Sequence, residues 1–202
     1  KHLPDDAIVV TDVGAAFIST MQSMPVKRGQ RLFHSCGVSP MGWGFPASVG
    51  ACLAGGGRKV VCLTGDGGMM LNMQELQTIA HHNLPIAIFV FANDGYMTIQ
   101  HMQDNHFKRE AISSRDSGLT CPDFVEVAAA FNIRPFEVCT QSELSGTIEA
   151  ALATDLPCLV QIHMPPRQLL IPRVQTKTEN GRFIPTPIDD MFPYLKRDEL
   201  ER

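Results

Sequence analysis

The sequence predicts an α/β fold: a doubly wound, mainly parallel sheet with helices on both faces. Three observations predict it. Short apolar runs alternate with stretches of helical character along most of the chain. One run, Ile86-Ala87-Ile88-Phe89-Val90-Phe91, is apolar at every position, as a strand covered on both faces requires. Glycine and polar residues stand directly after several runs, where a strand in such a sheet hands the chain to a helix.

The elements follow in order. Ala7 to Thr11 reads as a buried strand ending at Asp12-Val13-Gly14, with a helix from about Ala15 to Met24. Arg31 to His34 is a second, short strand. Met41 to Ala54 is a helix rich in small residues that permit close packing, closed by Gly55-Gly56-Gly57. Lys59 to Thr64 is the next strand. Asn72, with Glu75 three positions on, predicts a capping box opening a helix that runs to about His82. The strand Ile86–Phe91 comes next, and residues 95–120 read as polar and irregular. Pro122 is expected to start a helix with Phe124, Val125, Ala128 and Ala129 on one face. Phe136–Val138 is a short strand, Ser142 is expected to cap a helix to about Ala153, and Cys158–Ile162 is the last strand. The expected organisation is one domain over 1–164 and a proline-spaced tail over 165–202.

Composition narrows the function classes. At 202 residues the chain is long enough for one domain with a full core and short for two. A net charge of −4 with no basic stripe argues against a nucleic-acid partner. The longest apolar stretches are roughly 7 to 9 residues, too short to span a bilayer, so no membrane partner is expected. No signal peptide is recognised. The six cysteines are scattered with no C-x-x-C pair, and are expected to be buried, reduced thiols of a cytoplasmic protein. The chain opens on Lys1 rather than Met, which marks it as a piece of something longer.

The chemistry concentrates after two strands. Gly65-Asp66-Gly67-Gly68 follows one apolar run, and Asn93 closes the next, 27 positions beyond Asp66. Two strand ends with a helix between them can present this acid and this carboxamide to one ligand. Gly65, Gly67 and Gly68 let backbone N–H groups approach phosphate oxygens, helped by a nearby helix N-terminus. Magnesium takes about six hard oxygens. Asp66 offers a carboxylate, Asn93 a side-chain carbonyl and Gly95 a backbone carbonyl, so these three are the candidate metal ligands. A dinucleotide loop is disfavoured because Met70 stands where the third glycine of G-x-G-x-x-G belongs, and no G-K-[ST] follows to make a nucleotide P-loop.

These motifs carry a resemblance. The segment from Asp12 to about Ile162 resembles the diphosphate-binding domain of the acetolactate synthase family of thiamine-diphosphate enzymes. The matching stretches are Thr11-Asp12-Val13-Gly14, Met41-Gly42-Trp43-Gly44-Phe45-Pro46-Ala47, Gly65-Asp66-Gly67-Gly68 with Asn72-Met73-Gln74-Glu75-Leu76, and Asn93-Asp94-Gly95-Tyr96. The resemblance implies thiamine diphosphate and Mg2+ as cofactors, with Gly14 and Tyr96 joining the cofactor-binding residues. Met41 matches the apolar residue beneath the cofactor that holds it bent, which is preorganisation. Where the family places Gln-His after the first glycine, this chain has Ala15-Ala16, which puts acetolactate formation itself in question.

The resemblance further implies a small 2-oxo acid substrate, decarboxylated and passed to a proton or a second carbonyl. The catalytic glutamate belongs to a pyrimidine-binding domain that nothing here matches, so the isolated chain is expected to be inactive. A homodimer or tetramer is expected, and whether FAD is bound is left open. Arg167, Arg173 and Lys177 in the tail match a lid over the site, with an interface wrap as the alternative. Two rival readings stay open: a small subunit of a split decarboxylase or oxidoreductase, and a degenerate binding domain without catalysis.

Overall fold

The computed structural model describes residues 2–200. Six strands, β1 (Ile8–Thr11), β2 (Arg31–Phe33), β3 (Val60–Gly65), β4 (Ile86–Ala92), β5 (Arg134–Val138) and β6 (Cys158–His163), form one sheet in the order β2-β1-β3-β4-β6-β5. Every pairing in it is parallel. The chain moves from β1 outward to β2 and then crosses back to β3. That reversal opens a crevice at the carboxyl ends of β1 and β3. The expected α/β, doubly wound architecture is therefore what the chain adopts.

Helices α1 (Ala15–Ser23), α2 (Gly44–Ala54), α3 (Asp66–Leu71), α4 (Glu75–His81), α5 (Met97–His106), α6 (Phe124–Ala130) and α7 (Gln141–Ala153) follow the strands. Alternation along the strands sends side chains to two cores. Ile8, Val10, Val60, Cys62, Ile86, Ile88 and Val90 pack with Phe45 of α2, Leu76 and Ile79 of α4 and Phe124 of α6. Val9, Val61, Ala87, Phe89 and Val160 face the other way, against Ala151 of α7 with Leu144, Ile148, Met24 and Leu3 around it. Burying β3 and β4 on both faces is why these runs are almost purely apolar.

Several expectations need correction. Helix α2 begins at Gly44 rather than Met41, because Gly42 adopts φ 86, outside the helical region. Asn72 does not cap α4. Its Nδ2 donates to the Gly42 carbonyl at 2.8 Å, and α4 starts behind Gln74. The glycine run is not a bare loop, since Asp66–Leu71 is a short helix of its own. Within 95–120 the chain forms α5 and a 3-10 turn at Arg115–Ser117 instead of irregular structure. Asp123, not Pro122, caps α6, its carboxylate accepting from the amides of Val125 (2.8 Å) and Glu126 (3.4 Å). Thr140 stands at the N-cap of α7 in place of Ser142, and the Glu143 carboxylate accepts from the amides of Cys139 and Thr140. Strand β5 starts at Arg134; at the sheet edge Pro135, which has no N–H, is tolerated. Cys36 and Cys139 are exposed, whereas Cys52, Cys62 and Cys158 are buried.

Beyond residue 164 lie a hairpin, β7 (Lys177–Glu179) with β8 (Arg182–Ile184), and a short helix α8 (Arg197–Leu200). This segment is fastened to α1 and α5. Gln22 donates to the Pro172 carbonyl at 2.7 Å, Arg167 pairs with Asp104 and Glu110, and Arg173 donates to His101 Nδ1 at 3.0 Å. The side chain of Lys177 lies outside the described residues. Among the described residues no helix is long and apolar enough to cross a membrane.

Candidate cofactor-binding cleft

The residues singled out from sequence come together in one cleft. Gly14 arrives from the β1–α1 turn and Met41 from the turn before α2. Gly65, Asp66, Gly67 and Gly68 arrive from the junction of β3 and α3, and Asn93, Gly95 and Tyr96 from the end of β4. β3 and β4 are hydrogen-bonded neighbours, with Gly65 paired to Phe91. Their carboxyl ends therefore deliver Asp66 and Asn93 side by side.

Asp66 is the centre of this arrangement. It is 2% exposed. One carboxylate oxygen accepts from its neighbour Gly67 N at 2.8 Å; the other accepts from Asn93 N at 3.0 Å and Gly95 N at 3.2 Å. Asn93, 4% exposed, donates its side-chain Nδ2 to the Gly95 carbonyl at 3.1 Å. The three candidate metal ligands are thus mutually bonded, with hard oxygens gathered in a buried place. Burial pushes the Asp66 carboxyl above its ordinary range, against the opposing pull of the backbone amides of Gly95, Gly67, Asn93 and Asp94. Cys121 lies on the far side, its thiol pushed up to about 12 by burial and then by the negative charges of Asp66 and Asp94. A buried carboxylate in a negative neighbourhood, with the Asn93 carboxamide and the Gly95 carbonyl beside it, suits a divalent cation, and the donor set suits magnesium.

The glycines have different reasons for being glycines. A Cβ on Gly67 would collide with the ring of Tyr96, and one on Gly68 with the Asp12 carboxylate and Thr64 Oγ1. A Cβ on Gly65 would meet nothing within 4 Å, so its α-carbon borders open space in the cleft. Gly14 holds φ 81 just ahead of α1, a conformation that favours glycine.

Sequence reasoning missed the groups that hold Met41 in place. Asp12 is 1% exposed, and its two oxygens accept from Gly42 N at 3.1 and 3.0 Å, from Val13 N at 2.8 Å and from Thr64 Oγ1 at 3.0 Å. Asn72 holds the carbonyl of the same glycine. The turn presenting Met41 is therefore pinned from both sides. These contacts span 30 and 52 positions and leave no local pattern to read.

His101 and His106 fall in the segment expected to be irregular and lie on α5 instead. His101 lines a second pocket with Arg173 and Leu170, and Thr98 borders both that pocket and the cleft. Its pKa is lowered by burial first and by the Arg173 charge second. His81 ends α4 in its last turn, where a basic group meets the helix dipole. Trp43 packs against the first core.

Comparison with known proteins agrees with this geometry. Residues 12–162 match the family described as thiamine pyrophosphate enzyme, C-terminal TPP binding domain. The chain is 27% identical over 180 residues to the acetolactate synthase isozyme 1 large subunit of Escherichia coli (strain K12), covering 89% of this chain and 32% of that protein. It is 31% identical over 169 residues to a probable acetolactate synthase large subunit of Methanococcus aeolicus, covering 84% of this chain and 28% of that protein. It is 32% identical over 185 residues to the acetolactate synthase large subunit of Cyanidium caldarium, covering 91% and 31%. The chain thus spans about a third of the length of these curated relatives.

Proposed function

This chain belongs to the thiamine pyrophosphate enzymes, as a C-terminal TPP-binding domain, and from that premise we propose that it holds the diphosphate and metal end of thiamine diphosphate in an enzyme acting on a small 2-oxo acid. The observation that carries this reading is the convergence of Asp66, Asn93 and Gly95 at adjoining strand ends, with the carboxylate buried and raised. Asp66, Asn93 and Gly95 would hold Mg2+. The backbone at Gly65, Gly67 and Gly68, with Gly14 and Tyr96, would receive the diphosphate, and Met41 would support the cofactor from the turn that Asp12 and Asn72 pin. When bound, thiamine diphosphate supplies the carbon acid that cleaves the bond between a keto carbon and its carboxylate.

This chain's own contribution is binding and orientation. The glutamate that activates the pyrimidine ring is proposed to come from another domain, so the chain alone would bind without turning over. A decarboxylase or carboligase activity like that of the acetolactate synthases it resembles fits the cleft, and assembly as a homodimer or tetramer would complete it. The segment 165–202 is proposed to act as a lid or an interface wrap, since it bridges α1 and α5 beside the cleft mouth.

Calorimetric titration of thiamine diphosphate into the whole protein, with Mg2+ and then with EDTA, tests this. Mg2+-dependent binding that disappears in Asp66→Ala is the expected result. Binding indifferent to EDTA or to the substitution, or no binding at all, overturns it.

A further inference from the structure

A second group of ligating side chains, none of which lines the cleft, stands at the carboxyl ends of β5 and β6, where His163 borders a neighbouring pocket that Asp66 also lines. The parallel register pairs Glu137 with Gln161 and Val138 with Ile162. The next positions along, Cys139 and His163, therefore fall on the same face as Glu137. Their ligating atoms confirm the consequence: the carboxylate of Glu137, the sulfur of Cys139 and a ring nitrogen of His163 all lie within 4.8 Å of one another.

Each member is already held. His163 Nε2 lies 2.8 Å from Glu137 Oε1, and 3.3 Å from Gln161 Nε2. Gln161 is fixed in turn, because its Oε1 accepts from Phe124 N at 2.7 Å. The backbone at Cys139 is anchored through its amide, which donates to Glu143 at 2.9 Å. All three ligands are solvent-exposed, with the side chains of Glu137 and His163 about half accessible. A metal can enter directly from water, and water can complete its coordination.

We propose that Glu137, Cys139 and His163 form a surface Zn2+ site distinct from the cofactor cleft. One thiolate, one imidazole and one carboxylate make a zinc donor set, and magnesium does not accept sulfur. With Zn–S near 2.3 Å and Zn–N or Zn–O near 2.0–2.2 Å, tetrahedral ligands stand roughly 3.3–3.7 Å apart. Closing the cluster from its present spread needs only side-chain rotation on exposed residues. The metal takes the place of the thiol proton of Cys139, so binding releases a proton.

Co2+ titration in the presence of excess Mg2+, which occupies the cleft, reads this site optically. The expected result is a one-to-one complex with a near-ultraviolet thiolate-to-cobalt charge-transfer band, displaced by Zn2+. The band is lost in Cys139→Ser, and Co2+ affinity falls at least about tenfold in His163→Gln, since a ligand counts for no less than an outer-sphere partner. Circular dichroism of both variants should match the parent, as both residues are exposed. Absence of the band in the parent protein overturns the proposal, and so does its persistence in Cys139→Ser.

Discussion

At the ends of β3 and β4, Asp66 is 2% exposed and bonded almost entirely to backbone amides. At the ends of β5 and β6 of the same sheet, Glu137 and His163 are about half exposed and bond each other's side chains. The strands are alike in direction and hydrogen bonding; the difference is cover. Near β3 and β4 the α3 helix, the β4–α5 turn and Tyr96 close over the carboxylate. Among the described residues nothing comparable covers Glu137 and His163. The backbone amides cage the Asp66 carboxylate, fixing it in one geometry and favouring its charged form against the penalty of burial, while a solvated side-chain cluster can rearrange around what it binds. The first plan suits a hard, permanently placed cation, and the second an exchangeable one.

The comparison can be broken or sharpened by experiment. The largest effect belongs to Asp66→Ala, which should weaken Mg2+-dependent thiamine diphosphate binding by about a hundredfold or more, near 3 kcal/mol. Calorimetry on Glu137→Gln as the paired control should show none of this loss, and an equal loss there would erase the distinction. Next comes Gly68→Ala. Its new methyl would collide with the Asp12 carboxylate and Thr64, so urea unfolding should show a destabilisation of about 1–3 kcal/mol. Gly146→Ala, at an exposed position of α7 with nothing within 4 Å, should instead stabilise by roughly 0.5–1 kcal/mol.

A pH series tests the cage directly. The folded-state pKa of Asp66 lies above its unfolded value, so in the absence of metal the folded form binds more protons between the two. Stability contributed by the protonated carboxyl is present below the ordinary carboxylate range and is lost as pH rises through the raised value. Asp66→Asn should flatten that part of the stability profile measured without Mg2+, and an unchanged slope would show the cage to be electrostatically neutral. The smallest effect is expected of Glu137→Gln on stability, within about 0.5 kcal/mol in the same unfolding assay, as for other exposed ion pairs.

The legible and illegible parts of the sequence divide along physical lines. The apolar runs at Ile8–Thr11, Val60–Gly65 and Ile86–Ala92 announce buried parallel strands because burial on both faces leaves almost no room for polar side chains. The pairing of Asp66 with Asn93 was legible because both stand at strand ends. Helix α3 was not, since Asp66-Gly67-Gly68 has a turn's composition, and the close approach of Tyr96 and Asp12 that requires these glycines is invisible in the sequence. Helix α5 was missed because its buried Gln100 is held by a hydrogen bond to the Ser113 carbonyl and contributes no apolar periodicity. Asn72 matched a capping box in spacing, yet a carbonyl 30 positions away claimed its amide.

The doubly pinned Gly42 also makes a built-in clock. Its amide hydrogen points at Asp12 beyond β1 and its carbonyl at Asn72 beyond α3. Solvent deuterium can reach that buried hydrogen only when the turn parts from Asp12. Its exchange should therefore be among the slowest in the molecule, far slower than that of amides in the exposed strand β8. The turn carrying Met41 would then be assembled when the fold is complete and absent whenever it is not.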